Sequence, residues 1–285
     1  MIVLNPHEID TILYHANCTD GFGAAWAAWK LLGGRAVYIP ASYGGEIPDV
    51  TGKNVAIVDF SYPREVLEEM REKANSLVLL DHHVTAEEAL KGLPYAIFDM
   101  SKSGAMLSWE FFHKDKEPPR MIKYIQDRDL WSWELPYSKE FSAAFSMVPF
   151  EFAEFDKYED DSMVDDAIKR GGYILAYTRQ IVEKEMGHAD RRKLLGYDVL
   201  VVNCSHLISE VGAELAKNCD IAVIWYYSHK DASYKISLRS FHDHVDCSQV
   251  AKHFGGGGHK KASGFLIDKH CNIESIFDKE DEIEE

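Results

Sequence analysis

Cysteine is scarce and poorly placed for bridging. The 285-residue chain has five, Cys18, Cys204, Cys219, Cys247 and Cys271, an odd and widely spaced set with no Cys-x-x-Cys pair. That argues against a disulfide framework and against a structural zinc site. Long apolar runs are missing too: no segment approaches the roughly 20 residues that a membrane-crossing helix needs. Residues 1–10 lack the basic region and apolar core of a secretory signal, so a soluble cytoplasmic protein is expected. The third shortage is of positive charge. Lys and Arg number 31 against 47 Asp and Glu, a net charge of −16. A long polyanion is held by many cationic contacts, so long nucleic acid is an unfavourable partner. Much of the acidic excess falls in residues 151–166 and 278–285, which read as a solvated loop and a frayed tail.

What is present is ample core. Hydrophobic residues make up 46% of the chain, enough for two domains at this length. The most informative stretch is Leu77-Val78-Leu79-Leu80 followed by Asp81-His82-His83. The apolar run predicts a buried strand, and strands of open α/β sheets present polar residues at their carboxyl edge, where ligands bind. Alone, two adjacent histidines read first as loop residues with solvent or backbone partners. Neighbouring segments repeat the pattern. A strand over residues 9–14 leads into His15-Ala16-Asn17-Cys18-Thr19-Asp20-Gly21 and an Ala/Trp/Leu-rich helix. Further strands are expected over 37–40 and 55–58, the second ending in Asp59-Phe60-Ser61, with a helix over 64–74. Alternating strands and helices predict a mainly parallel sheet. Three strand ends then carry His15 with Asp20, Asp59, and Asp81-His82-His83.

Ser101 and Ser103 precede a helix expected over 105–112. Another, over 119–126, runs into Asp127-Arg128-Asp129-Leu130-Trp131-Ser132-Trp133. Residues 141–166 give no clear periodicity. Residues 167–193 are helical in pattern, interrupted by Gly171-Gly172 and Gly187, and read as a connector. A second α/β pattern follows, with strands over 197–202, 221–227 and 234–240 and helices over 208–217 and 250–254. It ends in the glycine run Gly255-Gly256-Gly257-Gly258-His259. The expected domains are 1–150, a connector 151–195, 196–272, and an acidic tail 273–285.

Asp and His drawn from several strand ends, without paired cysteines, form a donor set suited to Mn²⁺ or Mg²⁺. A carboxylate shared by two ions is the arrangement used in phosphoester cleavage, with a nearby histidine to meet the phosphate or protonate the leaving oxygen. Glycines 255–258 with His259 and Lys261 could bring backbone N–H groups to a phosphate, or could be only a flexible turn. Arg239, on the preceding strand, could grip a phosphate with both guanidinium arms, or serve in an ordinary surface ion pair.

Together these motifs resemble the DHH phosphoesterase superfamily, in the branch with a C-terminal DHHA1 domain, and the likeness covers most of the chain. Residues 15–21 resemble the first motif, Val58-Asp59-Phe60-Ser61 the second, Asp81-His82-His83 the third and residues 127–133 the fourth. Ser237-Leu238-Arg239-Ser240 and Gly256-Gly257-Gly258-His259 with Ala262-Ser263-Gly264 resemble the substrate-binding signature. Residues 242–264 look most like the oligoribonucleases that degrade very short RNA, the nanoRNases. The resemblance implies two Mn²⁺ ions held by His15, Asp20, Asp59, His82 and a fourth-motif aspartate, with Mg²⁺ or another divalent ion as substitutes. Asp59 would bridge the ions, Asp81 would orient His82, and His83 would face the scissile phosphate. Arg239, Ser240, Gly256, Gly257, Gly258 and His259 would bind substrate. Asp129 is preferred to Asp127 because it directly precedes the Leu-Trp-Ser-Trp that resembles the family's sequence. One departure stands out: Cys18 occupies the place of the first aspartate of the usual Asp-x-Asp-Gly, and a thiol is a softer or poorer ligand.

The resemblance thus implies a parallel-sheet DHH domain joined by a helical connector to a smaller α/β DHHA1 domain. The implied activity is metal-dependent hydrolysis of short oligoribonucleotides or dinucleotides to mononucleotides, with a homodimer allowed. Alternatives are hydrolysis of a small signalling nucleotide, a RecJ-like single-strand exonuclease, and a non-catalytic nucleotide-binding scaffold. The acidic balance disfavours the exonuclease, which needs a basic path for a long strand.

Overall fold

A computed structural model describes residues 4–278. The chain divides into two compact units, Met1–Leu175 and Ala176–Glu285. Among the described residues no helix is long and apolar enough to cross a membrane. The five cysteines are free.

The first unit is built on five parallel strands: β1 (Thr11–His15), β2 (Val37–Ala41), β3 (Asn54–Val58), β4 (Ser76–Asp81) and β5 (Ala96–Phe98). Their order across the sheet is β2-β1-β3-β4-β5. Helices α1 (Thr19–Leu32), α2 (Arg64–Lys73), α3 (Val84–Leu90) and α4 (Gly104–Phe112) alternate with them. The central strands read as continuous apolar runs because both faces are covered, as parallel sheets require. In β4, Leu77 to Leu80 are all buried, each worth about 1.5–3 kcal/mol relative to exposure. Helix α1 is Ala-rich on the faces that pack closely, and its Trp26 stacks on Trp109 of α4 with centroids 5.7 Å apart. Beyond the sheet come α5 (Arg120–Asp129), α6 (Ser138–Phe145), α7 (Phe152–Asp156) and α8 (Asp161–Met186). Phe141, Phe145, Phe155 and Tyr158 join the core of α1, α4 and α5. The aromatic stretch without clear periodicity is thus a set of short helices.

Register fixes where the site lies. Tyr14 pairs with Val58, and Val58 with Leu80. The residues that follow, His15, Asp59 and Asp81, therefore leave the sheet at one level of its carboxyl edge. The order changes direction between β1 and β3, which is where open α/β sheets leave a crevice for ligands. Asp59 turns sharply out of β3, with φ +55° and its N–H donating to the Leu80 carbonyl at 2.9 Å.

The second unit carries a mixed sheet of β6 (Asp190–Leu194), β7 (Tyr197–Asn203), β8 (Ile221–Ser228), β9 (Ser233–Arg239), β10 (Gly257–His259) and β11 (Ala262–Asp268), in the order β10-β11-β9-β8-β7-β6. Only β7 and β8 run parallel, joined through α9 (Ile208–Leu215); α10 (Cys247–His253) packs on β10 and β11. Two expectations are corrected. Helix α8 runs unbroken through Gly171-Gly172, and residues 190–194, expected to be helical, form the edge strand β6. Of the expected tail, Ile273–Ile276 forms a short 3-10 turn whose Ile273 and Ile276 pack on the second core. Residues 279–285 lie outside the described residues.

Candidate metal centre

Asp59 is the hub of the carboxyl-edge cluster. Its Oδ2 lies 3.5 Å from His15 Nδ1, and its Oδ1 lies 3.1 Å from His82 Nε2. His82 Nε2 is also 3.6 Å from Asp20 Oδ2 and 3.4 Å from Asp129 Oδ2. Donor atoms of His15, Cys18 and Asp59 fall within 4.8 Å of one another, as do those of Asp59, His82 and His83, and those of Asp20, His82 and Asp129. Elements distant in sequence thus deliver one site: the end of β1, the first turn of α1, the ends of β3 and β4, and the last turn of α5.

Helix α4 holds Asp20. Gly104 N–H donates to Asp20 Oδ2 at 2.6 Å and Ala105 N–H to Oδ1 at 3.0 Å, so the carboxylate satisfies free amides of a helix N-terminus. Ser103 caps the same helix, its Oγ accepting from Met106 N–H at 3.3 Å. Gly104 must be small: a Cβ there would stand 2.4 Å from the Asp59 Cβ. Sequence reasoning read Ser101 and Ser103 as caps and missed this tie between α4 and Asp20. The Ser-Gly pair at a helix start was the available signal.

Asp81 plays a different part from the one expected. It is fully buried; its Oδ1 lies 2.6 Å from His83 Nδ1 and accepts the His82 backbone N–H at 2.8 Å. Ser61 Oγ donates a short hydrogen bond to its Oδ2. The aspartate therefore positions the ring of His83, and touches His82 only through the main chain. The reason is local: β4 ends at Asp81 and His83 becomes the residue before α3, so the chain turns back within reach of the carboxylate.

Electrostatics reflects crowding of like charge. Burial, then repulsion from Asp59 and Asp129, pushes the Asp20 carboxyl well above its ordinary range. Burial also opposes ionisation of Asp59, but the His15 imidazole beside it and the hydrogen bond with His82 outweigh it and hold that carboxyl low. Burial raises Asp129, partly offset by His82; the side chain keeps 28% of its surface open, which limits the effect. The Asp59 carboxylate 3.5 Å away, then Cys18, lifts His15 to about 10. The Asp81 hydrogen bond raises His83. Protons are thus retained where a cation would relieve the same repulsion. His15 Nδ1 and Asp59 Oδ2 are buried without a hydrogen-bond partner. Oxygen and imidazole donors at this spacing, with such orphaned atoms among them, fit a divalent ion.

Asp127 and Asp129 both lie in the last turn of α5 but diverge. Asp129 joins His82, whereas Asp127 accepts from Glu134 N–H at 2.9 Å and Leu135 N–H at 3.3 Å. In the second unit, Arg239 ends β9; its Nη1 donates to the Leu238 carbonyl at 2.9 Å and its Nη2 to Ser209 Oγ at 3.2 Å. Ser240 Oγ accepts from His242 N–H at 3.2 Å. The glycine run is a tight hairpin rather than an open loop: Gly257 and Gly258 pair with Gly264 and Ser263. A Cβ on Gly256 would come 2.2 Å from the Gly264 carbonyl oxygen. Gly257 and His259 remain exposed.

Residues 202–284 match the DHHA1 domain. The chain is 34% identical to the uncharacterized protein R106 of Acanthamoeba polyphaga mimivirus, over 93% of this chain and 69% of that protein. It is 26% identical to oligoribonuclease NrnB of Bacillus subtilis strain 168, over 90% of this chain and 72% of that protein. Among solved structures, the pGpG-specific phosphodiesterase PggH from Vibrio cholerae superposes with a TM-score of 0.57 at 12% identity, covering 91% of this chain and 93% of that one. An exopolyphosphatase-related protein from Bacteroides fragilis gives 0.55 at 13% identity, covering 95% and 89%. The last two likenesses are likenesses of fold.

Proposed function

We propose that this chain, whose residues 202–284 match the DHHA1 domain and which is 26% identical to an oligoribonuclease, is a divalent-metal phosphodiesterase of the DHH/DHHA1 superfamily, with Mn²⁺ preferred, that cuts short oligoribonucleotides or dinucleotides to mononucleotides. The observation that carries this reading is the convergence of three aspartates and two histidines about Asp59 at the sheet's switch point. His15, Asp20, Asp59, His82 and Asp129 would hold two ions. Asp59 sits between the groups because its two oxygens engage different imidazoles. When bound, such ions supply a water of lowered pKa and neutralise charge on the phosphate.

The chain's own groups do the rest. His83, held through Nδ1 by Asp81, keeps Nε2 free, and the carboxylate's hydrogen bond favours the protonated ring. In that state it can hydrogen-bond a phosphate oxygen and give a proton to the departing ribose oxygen. Ser61 braces Asp81 from the other side, so the ring's orientation is set before substrate arrives. Arg239, Ser240, Gly256 to Gly258 and His259 would bind the substrate's phosphate and sugar. The likeness to an oligoribonuclease supports short RNA, and the net charge of −16 disfavours a long strand.

The test is incubation with Mn²⁺ and end-labelled RNA of two to five nucleotides. Mononucleotides should accumulate with the wild-type chain and be absent with Asp59→Ala. Equal silence of both proteins would overturn the reading. Turnover of dinucleotides alone, with pentamers untouched, would narrow the substrate to a small signalling dinucleotide.

A further inference from the structure

Trp131 leaves 73% of its surface exposed, yet it lines one cavity of about 310 Å³ with Cys18, Asp20, Arg128 and Asp129. An indole so open forgoes the burial that usually pays for a residue of its size. Its backbone is also strained. Trp131 and Trp133 have φ of +58° and +54°, a region that bulky side chains rarely adopt.

The turn is held in place by Asp127. Besides the two amides its buried carboxylate accepts, its carbonyl accepts the Ser132 N–H at 2.9 Å. Trp133 stands edge-on to Trp131, with centroids 5.0 Å apart and ring planes at 73°, and Lys139 Nζ lies 5.6 Å over the Trp133 ring. The Trp131 indole is thus braced at its edge while its exposure is kept. Arg128 acts on Asp129 through its charge, without a hydrogen bond between them. An open aromatic surface beside a guanidinium, in the cavity that contains proposed metal ligands, is the pairing that recognises a nucleobase and its phosphate.

We propose that Trp131 is the stacking platform for a nucleobase next to the scissile phosphate, with Arg128 binding a phosphate of the same nucleotide. This rests on the phosphodiesterase reading above and adds how the nucleotide is gripped. Stacking tolerates every base, so the platform would select nucleotides over other phosphoesters without selecting sequence.

The experiment is calorimetric binding of AMP and of ribose 5-phosphate to the full chain with Mn²⁺. Wild type should prefer AMP by roughly 5- to 150-fold, the range of one base stack. Trp131→Ala should bring the two affinities together by weakening AMP alone. Trp131→Phe should keep most of the preference, and Arg128→Ala should weaken both ligands alike. An unchanged preference in Trp131→Ala, or none in wild type, would overturn the proposal. An unchanged melting curve for Trp131→Ala shows that the effect is not unfolding. Dinucleotide turnover by wild type is measured separately, so failure of the platform and failure of the phosphodiesterase reading are told apart.

Discussion

Asp81 Oδ1 and His83 Nδ1 lie 2.6 Å apart, two residues separated by a single turn of chain, with the carboxylate fully buried and the imidazole at the edge of the site. A buried carboxylate bonded to one ring nitrogen fixes both the tautomer and the charge of the ring.

Asp81→Asn should therefore lower the His83 pKa. His83 is raised by the carboxylate, so its protonated form persists to higher pH in wild type and should be lost at lower pH in the variant. The alkaline limb of the kcat profile should move to lower pH, with kcat on that limb reduced about 10- to 100-fold. The variant should also lose about 1–3 kcal/mol of stability, since Ser61 Oγ loses a charged acceptor in the core. A pH–rate profile with a urea titration measures both.

Removing metal should destabilise the fold. An ion that binds only the folded chain adds about 2.7 kcal/mol at 100 times its dissociation constant. Chelation should lower Tm accordingly, and Mn²⁺ should restore it. In Asp59→Asn the Mn²⁺-dependent part of the shift should vanish, because the hub between His15 and His82 is neutralised. Differential scanning calorimetry with and without chelator is the check.

Cys18 brings sulfur within 4.8 Å of donor atoms on His15 and Asp59. With Co²⁺ or Cd²⁺, wild type should show a near-ultraviolet thiolate-to-metal absorption band that Cys18→Asp lacks. The same substitution should raise Mn²⁺ affinity by about tenfold, since a hard carboxylate suits that ion better than sulfur. Absorption titrations with each metal read both effects.

Gly104→Ala places a methyl group against Asp59, at 2.4 Å from its Cβ. Either α4 or the aspartate must shift, and α4 also anchors Asp20. Stability should fall by about 1–3 kcal/mol, and Mn²⁺ affinity should drop by more than a mutation at the exposed Gly257. Metal titration of the two variants side by side tests the difference.

Much of the first unit was readable because buried parallel strands advertise themselves. The runs at 55–58 and 77–80 are continuous and apolar, and their polar successors, Asp59 and Asp81, had to emerge at the sheet edge. Less readable were features set by contacts remote in sequence. Gly171-Gly172 looked like a helix break, yet α8 continues, because Gly171 lies where any Cβ would meet the Glu140 backbone. The glycine is there for closeness between helices, which a one-dimensional pattern cannot distinguish from a stop. Residues 190–194, Asp-Arg-Arg-Lys-Leu, carry the charge of a surface helix but form an edge strand, where charge also discourages unwanted pairing. The partner of Asp81 was misassigned because adjacent histidines differ only in how the chain turns after the strand. The hold of α4 on Asp20 spans 84 residues of sequence.

The left-handed backbone of Asp59 places stability and chemistry in opposition at one residue. Glycine would occupy φ +55° at lower conformational cost, recovering about 1 kcal/mol, but it would erase the carboxylate on which the cluster turns. Selection for thermal endurance alone should drift toward glycine at this position, whereas selection that includes turnover should hold aspartate. A library randomised at residue 59 and sorted once for folding and once for phosphodiester cleavage would therefore return two different winners from the same scaffold.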